Sequence, residues 1–178
     1  MKKRTFLVIT LAMLVLLIGC LAWYRNKSTH LYGNDQDSIV KVIHAIHGYE
    51  DAAIEILEVR DFDDQRVVGF LSNHRPGCIQ FRKNSDGDFD WSFIQVRNNE
   101  TFSYFIPDHL PMFMLVASPE NEIAKIQVRI NGQKLEQHVI PHKAAVAWID
   151  FPESEDHHYE FRDYTYYDKD GNLMKELN

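Results

Sequence analysis

Apolar residues fall along this chain in three rhythms. From Phe6 to Ile18 they run almost unbroken, interrupted only by Thr10 and preceded by Met1-Lys2-Lys3-Arg4, the layout of an export signal with its positive leader. Apolar character continues through Leu21-Ala22-Trp23-Tyr24. At about 1.5 Å per residue, Phe6 to Tyr24 spans the roughly 30 Å hydrocarbon core of a bilayer. Further on, Ile39, Val42, Ile43 and Ile46 recur at i, i+3, i+4 and i+7, which predicts one amphipathic helix, capped by Asp35 or Asp37 and ended at Gly48.

After Gly48 the period drops to two. Strands are predicted at Ile54 to Val59, Arg66 to Leu71 and around Ile79, Phe81 and Lys83, with turns at Asp61 to Gln65 and Ser72 to Gly77. Phe89, Trp91 and Phe93 alternate with Asp90 and Ser92 in a fourth, reached through the Asp86-Gly87 of a tight hairpin. Phe102, Tyr104 and Ile106 suggest a fifth, before Pro107-Asp108-His109-Leu110-Pro111 breaks the chain. Beyond the break, strands are predicted at 112–117, 123–130, 135–140, 144–151, 159–167 and 173–177, with Asn131-Gly132 as a turn. The expected fold is α+β and mainly β: an N-terminal membrane helix or signal (1–27), a helix with an antiparallel meander (28–110), and a β-sandwich-like half (111–178), the last two separate or one continuous domain of 28–178.

Charge sharpens this picture. The chain has a formal net charge of -7, yet its first 27 residues hold five basic and no acidic side chains, so the remainder carries 14 basic against 26 acidic residues, or -12. An exported portion this acidic lacks the Lys and Arg clusters that phosphate backbones demand, so nucleic acid is not an expected partner. Lys2, Lys3 and Arg4 would hold the N-terminus in the cytoplasm, while Trp23 and Tyr24 sit where interfacial aromatics belong. Cys20 follows Leu17-Ile18-Gly19 as the cysteine of a bacterial lipobox would, which makes it a lipid-attachment candidate. The apolar run past Cys20 favours an uncleaved signal anchor over lipidation, and both place the chain from about residue 28 outside the membrane.

Catalytic signatures are scarce. Cys78 lies in the strand-like Cys78-Ile79-Gln80-Phe81 and reads as a buried apolar residue more than a nucleophile. Asp86-Gly87-Asp88-Phe89-Asp90 and Asp168-Lys169-Asp170-Gly171-Asn172 space oxygen side chains as a calcium loop begins, but neither has the sixth-position Gly and twelfth-position Glu, and both read as turns. Of the nine histidines, His44 with His47, His138 with His142, and His157 with His158 make close pairs, none at zinc-motif spacing. No motif calls for a cofactor, and neither a nucleophile elbow nor a phosphate-cradling Gly loop is present. In Tyr159 to Tyr167, plain alternation sets Tyr159, Phe161, Asp163, Thr165 and Tyr167 on one face of a strand and Glu160, Arg162, Tyr164 and Tyr166 on the other. Tyr164 and Tyr166 are thereby the candidate interaction surface.

Met1 to Cys20, with Ile123 to Gly132 and Tyr166 to Leu177, resembles segments of the small, uncharacterised membrane-anchored or lipobox-bearing exported proteins of Gram-positive bacteria. That resemblance implies no catalytic residues. It fits a non-catalytic extracytoplasmic module of the bacterial cell envelope, held to the membrane by its N-terminus and binding an envelope protein. A small envelope enzyme or metal-dependent hydrolase with a dispersed site, and a ligand-binding lipoprotein, are the alternative readings.

Overall fold

The computed structural model describes residues 13–21, 30–156 and 158–174, and these are mainly β with antiparallel sheets. Residues 13–21 are helical (α1), with Met13 to Ile18 and Leu21 each more than half exposed. Among the described residues no helix is long and apolar enough to cross a membrane. The apolar stretch Phe6 to Tyr24 extends on both sides of α1 into residues outside those described.

The second helix, α2 (Gln36–Ala45), starts at Asp35, whose carboxylate accepts the Ser38 N–H while the Ser38 hydroxyl accepts the Asp35 N–H. This reciprocal cap satisfies two donors that the first turn would otherwise leave unpaired. Ile39, Val42 and Ile43 form the buried stripe that the 3.6-residue period predicts.

The first sheet is a meander of β1 (Ile54–Phe62), β2 (Gln65–Ser72), β3 (Arg75–Lys83) and β4 (Phe89–Val96). Its β2–β3 turn is tighter than the sequence suggests: Ser72 pairs with Arg75, and only Asn73 and His74, both at positive φ, lie between. A two-residue turn of this hand matches the twist of the strands, so β3 starts early and takes in Pro76 and Gly77.

A central sheet is built from β5 (Phe102–Phe105), β6 (Met112–Ala117) and β9 (Ala145–Asp150), in the order β5-β6-β9. An outer sheet contains β7 (Lys125–Ile130), β8 (Gln133–His138), β10 (Phe161–Tyr167) and β11 (Leu173–Met174), in the order β11-β10-β7-β8. Because β5 pairs with β6, the central sheet crosses the Pro107–Pro111 break that the sequence places between two halves.

Alternation along the strands stacks these parts into layers. Val68, Phe70, Ile79 and Phe81 face α2, whereas Val67, Leu71 and Cys78 meet Met114 and Val116 of the central sheet. From β6, Phe113, Leu115 and Ala117 point the other way, onto Ile126, Val128 and Ile130 of the outer sheet. The order is therefore helix, first sheet, central sheet, outer sheet. Strands covered on both faces lose their polar positions, which is why β6 reads Met-Phe-Met-Leu-Val-Ala. Gly69 permits the close approach: a Cβ there would lie 2.5 Å from Val146 Cγ2 of β9. At one side of this interface the Trp148 indole donates to Glu58 (2.9 Å), and the Arg60 guanidinium lies over both Phe62 and Trp148.

Two strands depart from simple alternation. In β4 the register slips opposite Gln80 and Phe81, leaving Ser92 as an extra residue. Phe89 stays buried, but Trp91 and Phe93 are 45% and 39% exposed at the sheet edge. In β10 the slip falls between Arg162 and Thr165, where Asp163 adopts φ 54°. One inserted residue reverses the facing of everything after it.

Candidate functional site

That reversal decides where the candidate tyrosines go. Tyr164 and Tyr166 turn inward to join Tyr159 and Phe161 on the core face, correcting the expectation that they form a displayed pair. Tyr164 stacks on Tyr104 at 5.2 Å between ring centres, and Tyr166 meets Phe102 edge-on at 6.1 Å. Burial, then the neighbouring Tyr104, raise the Tyr164 phenol well above its ordinary pKa. Both rings are structural parts of the core between the central and outer sheets.

The same aromatic core opens to solvent at one end. Phe113, buried at its centre, lies 4.8 Å from Phe151 and 5.2 Å from Phe161, and Phe151 continues to Tyr159 at 4.9 Å. Phe151, Tyr159 and Phe161 are half-buried and form the floor of a groove of about 630 Å³, whose wall is the segment Ile106 to Pro111. A second depression of about 590 Å³ adjoins it, sharing Pro111, Phe151 and Tyr159 and bounded by Pro152, Glu153, Ser154 and Glu155. Together they make one trough with an aromatic floor, two proline-bearing walls and carboxylates on the rim.

Both walls are held from behind. The buried Gln80 side chain accepts the Asp108 N–H (3.0 Å), the Leu110 N–H bonds Pro107 O, and the Phe151 N–H bonds Pro111 O. His109 takes φ 60° at the tip of this turn. On the other side, Asp156 accepts from the His158 N–H and then the Ser154 hydroxyl, which hold its carboxyl below the usual range. Asn131 in the β7–β8 turn donates to His158 O and accepts the Glu160 N–H, pinning the segment that carries Tyr159 into β10. Asp108, Glu153 and Glu155, by contrast, are exposed and make no side-chain hydrogen bond or ion pair among the described residues.

The remaining candidates are not brought together. Cys78 is fully buried, and desolvation pushes its thiol up to about 12, the opposite of what a nucleophile needs. Cys20 is exposed on α1. The His44 ring bonds Ala52 O, and His47 pairs with Glu50. His142 N–H bonds Asn121 O, and His157 lies outside the described residues. In the calcium-like loops, Asn84 Oδ1 accepts the N–H groups of Asp86 and Asp88, and Asp168 Oδ1 those of Asp170 and Asn172. Their oxygen spacing serves the turns themselves. Among the described residues no three His, Cys, Asp or Glu side chains converge as metal ligands would.

Sequence reasoning missed the trough. Its parts were visible separately, as the Pro-bracketed break at 107–111 and the aromatic run beginning at Tyr159, but only the packing of β9 against β10 sets Phe151 beside them. Compared with known proteins, the chain matches no family model, no curated protein and no solved structure.

Proposed function

We propose that this chain is a membrane-anchored extracytoplasmic protein of the bacterial cell envelope, a non-catalytic binding module that recognises another envelope component through the aromatic trough. The observation that carries this reading is a solvent-open row of half-buried aromatic side chains, Phe151, Tyr159 and Phe161, held between two braced walls. Aromatic surface that is rigid and already desolvated on one side binds at low entropic cost.

The N-terminus supplies the tether. The apolar run Phe6 to Tyr24, with Lys2, Lys3 and Arg4 before it, is a signal anchor that spans the membrane, and the exposed apolar side chains of α1 are its middle section. Lipidation at Cys20 is the alternative tether and leaves the domain on the same side. Metabolic labelling with a fatty-acid analogue decides between them: an anchor stays unlabelled, whereas label lost in Cys20→Ser marks a lipoprotein.

Chemical crosslinking of the tagged full-length chain in native membranes, followed by capture, tests the binding role. One recurrent partner is expected with the wild-type chain and with Tyr167→Phe, and its yield should fall at least about tenfold in Tyr159→Ser. A partner retained by a folded Tyr159→Ser would refute recognition through the trough.

A further inference from the structure

At three places among the described residues an aromatic ring and a carboxylate come together with a cation that the chain itself supplies. The Arg66 guanidinium lies 4.0 Å from the centre of the Phe89 ring and forks onto Asp61. Lys125 Nζ sits 4.3 Å over Tyr167 and 3.9 Å from Glu136. Arg60 covers Trp148, whose indole bonds Glu58. The trough presents the same two components, aromatic rings on its floor and the carboxylates of Asp108, Glu153 and Glu155 on its rim, with no Lys or Arg among the described residues that line it.

From this we infer that the trough binds a lysine- or arginine-bearing segment of a partner protein in extended conformation. The inference rests on the trough being the recognition surface and names the chemistry of what enters it. A cation over Tyr159 or Phe151 gains from the ring quadrupole, and the rim carboxylates, free of internal partners, neutralise it. Apolar residues of the segment cover Ile106, Leu110 and Phe161, and the net -12 of the exported portion draws a positive partner in from solution. The two joined depressions favour a length of chain over a single side chain.

The test uses the full-length chain in nanodiscs of zwitterionic lipid and a fluorescent nonapeptide of three Lys-Pro-Leu repeats, in which Pro keeps the chain extended. A Glu-Pro-Leu nonapeptide and a soluble cell-wall glycan fragment are the comparison probes. The lysine peptide should bind at least about tenfold more tightly than the glutamate peptide, and about tenfold more weakly to the triple variant Asp108→Asn, Glu153→Gln, Glu155→Gln. The triple variant should melt within a few degrees of wild type, since its targets are exposed and unpaired. Equal binding of the two peptides, or undiminished binding by the triple variant, would overturn the inference. Glycan bound and then lost in Tyr159→Ser, with no lysine-peptide binding, would overturn it while leaving the trough as the recognition site. Silence from all three probes would count against both.

Discussion

The two faces of the central sheet bury different kinds of side chain, and the difference separates a sealed part of the molecule from an open one. Toward the first sheet the core is Val67, Leu71, Cys78, Met114 and Val116 with the single buried ring of Phe105, mostly compact side chains that let the layers close to the point where Gly69 has no room for a methyl group. Toward the outer sheet the aliphatic Leu115, Ile126, Val128 and Ile130 are joined by Phe102, Tyr104, Phe113, Phe161, Tyr164 and Tyr166, rings that meet mostly edge to face or tilted. Flat rings fill space well only in such arrangements, and where the row ends there is no further layer to cap it. The closed side carries stability. The open side leaves Phe151 and Tyr159 facing solvent between two braced walls, and recognition is proposed there.

Truncating the centre of the aromatic row breaks this contrast most severely. Phe113 contacts the rings of Tyr104, Phe151, Phe161 and Tyr164, so Phe113→Ala should cost about 3–5 kcal/mol and loosen the trough floor as well. Denaturant unfolding checks the first effect and near-ultraviolet circular dichroism the second; a loss below 1 kcal/mol would show that the row is not a packed core.

A smaller effect is expected on the helix-facing side of the first sheet. Arg66, 11% exposed, forks onto Asp61 and donates to Gly33 O and Asn34 O, tying the chain entering α2 to the first sheet. That fork is the first cause of the lowered Asp61 pKa. Arg66→Ala should cost about 2–3 kcal/mol by unfolding measurements. Deuterium uptake should rise at residues 30–45 while the trough walls stay protected. Equal loosening of both regions would mean that the two cores are not separable.

The smallest effect is a pH dependence. Folded Cys78 keeps its proton to about 12 against an ordinary 9.0, so the unfolded chain loses that proton first as pH rises. The contribution is complete below pH ~9 and is lost above it, by about 1–2 kcal/mol at pH ~10.5. Tyr164, also raised, acts in the same direction at higher pH. Melting of Cys78→Ala should therefore fall less steeply between neutral and alkaline pH than that of the wild type. Parallel curves would show that the thiol reaches solvent.

Elements with one dominant period were legible in the sequence. The stripe of Ile39, Val42 and Ile43, the Asp35 cap and the Asn131-Gly132 hairpin are local patterns with local causes, and the structure has them. Tyr164 and Tyr166 were misplaced because the extra residue in β10 is absorbed by an Asp at positive φ, and nothing in a run of alternating residues marks which one will bulge. The trough was invisible because its floor is assembled from Phe151, just past β9, and from Tyr159 and Phe161 at the entry to β10, segments joined only by tertiary packing.

The most direct test of the account is a photo-crosslinking side chain placed once at Tyr159, in the trough floor, and once at Tyr167, on the face of the outer sheet turned away from the core, in cells carrying the full-length chain. The account predicts a discrete adduct from position 159 and none from position 167. The same adducts from both positions, or an adduct from 167 alone, would contradict it.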